Sequence, residues 1–294
     1  MTTMLRPAPP GAIPEPGLAK KPGRRTRRVL GYLALGAAAV AVLLPFYWMI
    51  MSSLKTNNDV FTIPVQWLPA DPVWSNYADI WRKSEMSTWL GNTVLLSAAV
   101  TLLQVFTGSF AAYGFAKVRF PGRDVLFLAY IGTLAVPWQS YMIPQFIVMS
   151  KLELTDTLWS IIALQAFGPL GVFLMKQFYE TVPDELIDAA RIDGMSEYGI
   201  YRRIMLPLSV PALASLTLIT LVTTWNDYLG PLLYLRSPDL WTIQLGLKSF
   251  INQYNAEYAL IMTGSVLSVL PIVVIFLAGQ RYFVEGIATT GLKG

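Results

Sequence analysis

Six stretches of this chain run for about 20 residues or more without a Lys, Arg, Asp or Glu: 29–51, 86–116, 125–150, 157–175, 204–226 and 258–280. A helix needs about 20 apolar residues to cross a bilayer core, whereas a barrel strand needs about ten with strict alternation. The runs therefore predict an all-α membrane protein with six transmembrane helices. Composition agrees, since 54% of the 294 residues are hydrophobic and 14% charged, against about 25% charged in a soluble domain. Prolines inside the runs (Pro45, Pro137, Pro144, Pro169, Pro207, Pro211, Pro271) would break soluble helices. Within a membrane bundle, neighbours satisfy the freed carbonyls and the prolines become kinks. Pro137 and Pro144 flank WQSYMI, which serves either as a bending gate or as a purely structural kink.

Basic residues set the orientation. The N-terminal arm holds Arg6, Lys20, Lys21, Arg24, Arg25, Arg27 and Arg28. Six spans place Lys117, Arg119, Arg123, Lys176, Arg191, Arg202, Arg203, Arg281 and Lys293 on the same side, so both termini are expected in the cytoplasm. The net charge of +4 sits mostly in that arm, where topology and anionic lipid account for it without nucleic acid. A cleavable signal peptide is the competing reading of the arm and LALGAAAVA. The apolar run continues through LLPFYWMIM, however, past a signal core of roughly 7–15 residues. The sequence contains no Cys and no His, which removes disulfides, thiol nucleophiles, histidine bases and ordinary zinc sites.

Residues 1–28 read as a disordered basic arm, 29–282 as one six-span domain and 283–294 as a cytoplasmic tail. The stretch 52–85 holds three prolines and three tryptophans in TIPVQWLPADPVWSNYADIW. It predicts a packed exterior cap, or tryptophans seated at the headgroup level. KVRFPGRD and 151–156 are short turns that make their spans antiparallel neighbours. The long cytoplasmic connection is 180–207.

That connection, VPDELIDAARIDGMSEYGIYRRIMLP, is charged yet patterned. Pro183 suits a first helical turn, and Asp184 and Glu185 favour its positive dipole end. Leu186, Ile187, Ala189, Ala190 and Ile192 recur at helical spacing, and Gly194 stops the helix. Ile200, Ile204 and Leu206 mark a second apolar face leading to Pro207. A short helix hinged at Gly194 is therefore expected across the base of the spans. Ala189 and Ala190 present a low-relief face beside Asp188 that permits close approach of another backbone. On these residues alone, a docked protein partner and an interfacial amphipathic helix are equally served.

The spacing Asp188-Ala189-Ala190, Gly194, Ile204, Leu206-Pro207 resembles the EAA signature of membrane subunits of bacterial ABC importers. IPQFIVMSKLELTDT, FLMKQFYETVPDELIDAARIDG, TTWNDYLGPLLYL and the terminal QRYFVEGIATTGLKG resemble carbohydrate-importer permeases of the maltose-transporter type. The likeness covers nearly the whole chain after residue 28. It implies the type I permease fold, with Asp188, Ala189, Ala190, Gly194, Ile204, Leu206 and Pro207 forming a coupling loop whose helix seats in an ATPase cleft. It also implies a second related permease, two ATPase subunits, an exterior solute-binding protein, a sugar as solute and a bacterial plasma membrane. Asp188 departs from the family's usual Glu by one methylene, and Asp184 or Glu185 could substitute for it.

No GxxxxGK[ST] run is present, so the chain is not expected to be an enzyme. ATP and Mg are expected on the partner ATPases, with no cofactor here. Nucleotide-driven closure would move the coupling helix and rock the spans between inward- and outward-facing states.

A sugar has hydroxyls that need hydrogen-bond partners and C–H faces that stack on aromatic rings. Candidates at membrane depth are Trp138, Gln139 and Tyr141, Gln165, and Trp225, Asn226 and Asp227. Asp227 interrupts an otherwise uncharged stretch, and an ionisable group at such depth is a functional candidate. The competing readings are polar residues that glue helices, an Asp227 at the headgroup level, and a solute held mainly by the other permease. Rival functions are the same machine carrying a polyamine or glycerol phosphate, and a self-contained secondary transporter. The latter would want carboxylates within several spans. An intramembrane enzyme would lack both His and Cys.

Overall fold

A computed structural model describes residues 24–251 and 256–291. The disordered arm expected over 1–28 lies largely outside them; residues 24–28 begin the first helix. The chain divides into two units at Trp48. Over its described residues the first unit is the part of helix α1 (Arg24–Ser53) up to Trp48, and the helix passes Pro45 without a break.

The second unit holds α2 (Asn76–Lys83), α3 (Met86–Lys117), α4 (Arg123–Gly132), α5 (Met142–Lys151), α6 (Leu158–Gln165) and α7 (Pro169–Glu180). There follow α8 (Asp184–Ile192), α9 (Glu197–Ile200), a π-helical turn at Tyr201–Met205, α10 (Leu206–Leu208) and α11 (Val210–Trp225). The chain then forms α12 (Leu229–Tyr234), α13 (Ile243–Lys248) and α14 (Tyr258–Gly291). Among the described residues there is no strand, only an isolated pairing of Ile251 with Ala256.

Helix α3 is the centre of the unit, packing against α7 and α11, with α11 packing in turn on α14. The crossing of α3 and α7 is built on glycine. A Cβ on Gly108 would stand 3.4 Å from the backbone of Gly171, and one on Gly171 would stand 3.2 Å from Leu216. Small residues let helices approach closely where lipid supplies no hydrophobic drive between them.

The six predicted runs map onto helices with two amendments. Helix α1 from Arg28, α3, Leu158–Glu180 and α14 to Gln280 are each long and apolar enough to cross a membrane. The fifth run is not straight: Glu197–Leu208 meets Val210–Trp225 at 79°. Its break falls at Ser209, between Pro207 and Pro211, so the crossing part is α11 and the preceding amphipathic segment turns away from it. The third run is interrupted. Pro137 lacks a donor and disfavours helix at the residue before it, and Val136 is extended at φ −90° and ψ 112°. Residues 133–135 and 138–140 are single 3₁₀ turns separating α4 from α5.

The 52–85 stretch is folded. Asn76 donates to the carbonyls of Ser53 and Lys55 at 2.8 and 2.9 Å. Ile80 on α2 is fully buried in a cluster with Met86, Trp89, Ile243 and Leu260. Helix α14 continues to Gly291, so the tail expected from 283 begins as helix.

Candidate functional site

The charged connection folds as its residues dictate. Asp184 and Glu185 occupy the first turn of α8 and Arg191 the last, each sign complementing the helix dipole. At the far end the N–H of Gly194 donates to Arg191 and that of Met195 to Ala190, both at 3.0 Å. With Gly194 at φ +79°, this is the glycine-terminated Schellman pattern. Ser196 then caps α9, accepting from the N–H of Gly199 at 3.2 Å.

The two alanines part company. Ala190 is 6% exposed and joins Ile187, Tyr113, Met175, Tyr179, Ile200, Tyr201 and Met205 in one core cluster, whereas Ala189 is exposed. Successive helical residues differ by about 100° around the axis, so both could not serve one outer face. The outward ridge is instead Leu186, Ala189 and Ile192, spaced by three, with Leu186 43% and Ile192 86% exposed. Asp188 lies beside it and pairs with Arg191 of its own helix at 2.9 Å. Ile204 and Leu206 are half-buried against the cluster, and Pro207 is exposed.

What holds α8 in place comes from α3. Residues Ser109, Tyr113 and Lys117, each four apart, present one face of that helix. The hydroxyls of Ser109 and Tyr201 lie 2.8 Å apart, and the Tyr113 hydroxyl donates to Glu197 Oε2 at 2.5 Å. Lys117, its side chain only 4% exposed, bonds Asp184 and donates to the Val182 carbonyl at 2.6 Å. Arg191 completes the clasp, reaching Glu197 at 2.8 Å and the Lys117 carbonyl at 3.0 Å. The bond from Lys117 holds the Asp184 carboxyl below its usual range. The bond to Glu197 pushes the Arg191 guanidinium up. Sequence reasoning used Lys117 and Arg191 only as topology markers and passed over Tyr113, Ser109 and Glu197. The four-residue spacing along an otherwise apolar run was the available signal.

The second place of interest is a cavity of about 660 Å³ between α6, α7, α11 and the broken third run. Trp138, Gln165, Asn226 and Asp227 line it, as does Tyr141. Gln165 donates to Asp227 Oδ2 at 2.8 Å, and the Gly230 N–H donates to Oδ1 at 3.1 Å. Gln104, on α3 one and a half turns before Ser109, donates to the Gln165 carbonyl at 2.7 Å and accepts from Thr220 at 3.3 Å. Gln145 accepts from Trp138 at 2.8 Å and from Tyr234 at 3.2 Å. Asn226 donates to Val222 at 2.8 Å. Two of the expected residues lie elsewhere. Gln139 is exposed and absent from the lining. Trp225 is 3% exposed, its indole donating to the Ser268 carbonyl of α14 at 3.1 Å, which makes it a packing residue. Gln104 and Gln145 take their places, polar residues in apolar runs that sequence reasoning did not single out.

Comparison with known proteins matches this architecture. The family described as binding-protein-dependent transport system inner membrane component matches residues 104–289. The arabinooligosaccharides transport system permease of Halalkalibacterium halodurans is 34% identical, over 92% of this chain and 99% of its own. The sn-glycerol-3-phosphate transport system permease of Pectobacterium atrosepticum is 31% identical, over 90% of this chain and 97% of its own. Among solved structures, a bacterial ABC transporter involved in the import of the acidic polysaccharide alginate superposes with a TM-score of 0.78. It is 24% identical and covers 88% of this chain and 97% of its own.

Proposed function

This chain belongs to the family of binding-protein-dependent transport system inner membrane components, and from that premise we propose that it forms half of the membrane pathway of an ATP-driven sugar importer. Its solute is a sugar or oligosaccharide, delivered by an exterior solute-binding protein. A second, related permease supplies the other half of the pathway. Two separate ATPase subunits bind ATP and Mg and hydrolyse the nucleotide, while this chain does no hydrolysis itself. The complex sits in a bacterial plasma membrane, with both termini of this chain and α8 on the cytoplasmic side, in keeping with the basic residues gathered there.

The observation that carries the reading is the construction of α8. Asp184, Asp188 and Arg191 are tied into the clasp, and beside them the low ridge of Leu186, Ala189 and Ile192 stands exposed. Such a ridge fits a protein cleft, and a push on it would pass through Lys117, Arg191 and Tyr113 into α3. The same helix carries Gln104 at the cavity. The sugar assignment is supported by the cavity's amides, hydroxyls and rings, and by the arabinooligosaccharide relative.

The test is coupled uptake. In the complete complex in vesicles, Gly194→Val forces a branched residue into a left-handed backbone position, where the strain is of order 1–2 kcal/mol. A Cβ there would meet nothing within 4 Å, so the effect is on loop geometry and not on packing. ATP hydrolysis is expected to continue while uptake of a neutral arabino-oligosaccharide collapses. Unchanged uptake with normal assembly contradicts the coupling role.

A further inference from the structure

We infer that the cavity sorts solutes by charge, admitting neutral and cationic glycans and turning away anionic ones, with Asp227 as the selecting group. The inference deepens the sugar-pathway reading and rests on it. Among the described residues no Lys or Arg lines the cavity, and Asp227 is its one carboxylate. The ion pairs found among the described residues all lie elsewhere, and Asp227 takes part in none of them. Its two hydrogen bonds come from neutral donors, the Gln165 amide and the Gly230 N–H. Among the described residues the carboxylate therefore has a local hydrogen-bond frame but no countercharge.

A carboxylate offers about four acceptor positions, so some remain open toward the cavity. A sugar hydroxyl can donate to them in a charge-assisted bond, the stronger kind. A uronate or phosphate oxygen has no proton to give there and meets like charge in a partly desolvated site. A cleft of one sign also lowers the local concentration of ions of the same sign. Overall similarity does not separate these solute classes. The arabinooligosaccharide permease and the sn-glycerol-3-phosphate permease are almost equally similar to this chain, and the solved neighbour imports an acidic polysaccharide.

The absence of cysteine from the sequence permits a direct reading of the potential. Thr223 is exposed and lines the same cavity. In the assembled complex in membrane vesicles, Thr223→Cys is reacted with a trimethylammonium-bearing and a sulfonate-bearing methanethiosulfonate. The rates on this chain are followed by mass spectrometry and normalised to a free thiol. The cationic reagent is expected to be favoured on the order of tenfold. Adding Asp227→Asn should bring the ratio to within about twofold of unity, while Asp227→Glu should keep it high. A ratio near unity or favouring the anion, a ratio indifferent to Asp227→Asn, or no reaction with either reagent would overturn the inference. Uptake of a neutral arabino-oligosaccharide by the unsubstituted complex separates the two levels. If uptake is present without a cation preference, charge sorting alone fails. If uptake is absent, the sugar reading fails and takes the inference with it.

Discussion

The α8 end and the cavity use polar groups in opposite ways. At the α8 end, Lys117, Asp184, Asp188, Arg191 and Glu197 are all engaged with one another or with α3. Each cation there is paired with carboxylates of the clasp, and the exposed ridge of Leu186, Ala189 and Ile192 lies beside them. In the cavity neutral amides lead from Gln104 through Gln165 to Asp227, the one carboxylate among the described lining residues. Internal pairing suits an element that must keep its shape under load. Unspent acceptors suit one that must receive a solute. On the proposed reading the chain separates holding from binding, with α3 running from one to the other.

The largest expected effect breaks the α8 side without touching the cavity. Ala189→Glu places a charge on the exposed ridge, and disrupting a hot spot at the centre of an interface costs about 2 kcal/mol or more, a factor of about thirty. Uptake and binding-protein-stimulated hydrolysis should both fall by at least about that factor, while the purified chain keeps its melting temperature. Next comes Asp184→Ala. It leaves the buried Lys117 ammonium bonded to the Val182 carbonyl, and losing a bond to a charged group costs about 1.5–3 kcal/mol. Lys117→Met should cost less, because the Asp184 side chain it abandons is 70% exposed and returns to water. Thermal unfolding of the two variants checks that order, and the reverse order would mean that the clasp is not organised around a buried lysine.

Acidification gives a smaller, graded effect. The Asp184 carboxyl is held below its ordinary value of 3.8 by Lys117. A carboxyl with a depressed folded value contributes stability that is fully present above the unfolded value and lost as pH falls through the folded one. Exchange protection of the α8 amides should therefore be flat from pH 8 to about 5 and decline only below about 4. Loss of protection near pH 6 would require a different titrating group.

Much of the α8 end was legible in the sequence because helix grammar is local. Pro183, the paired acids and Gly194 fixed the start and stop of α8 without reference to the rest of the chain. Ala190's inward turn was available from the helical period and was obscured by the attraction of an adjacent pair of small residues. The clasp was not legible, since Lys117 and Asp184 lie 67 residues apart and only packing joins them. The cavity was half legible. Asp227 announced itself as a lone charge in a long apolar stretch, but Trp225 and Asn226 differ by one step around the chain and face different neighbours. The breaks at Val136 and Ser209 follow from prolines that the sequence displayed. Proline also sits in α1 and α14 without breaking them, so the tertiary surroundings decide which proline interrupts a span.

The central claim is that the outer ridge of α8 meets a nucleotide-hydrolysing partner on the cytoplasmic side. A photo-crosslinking residue replacing Leu186, in the complete complex in native membranes, tests it most directly. The account predicts an adduct to the ATPase subunit, with a yield that changes when nucleotide is bound. An adduct to lipid or to the exterior binding protein, or labelling of Ala189→Cys from the outer side of intact cells, would contradict it.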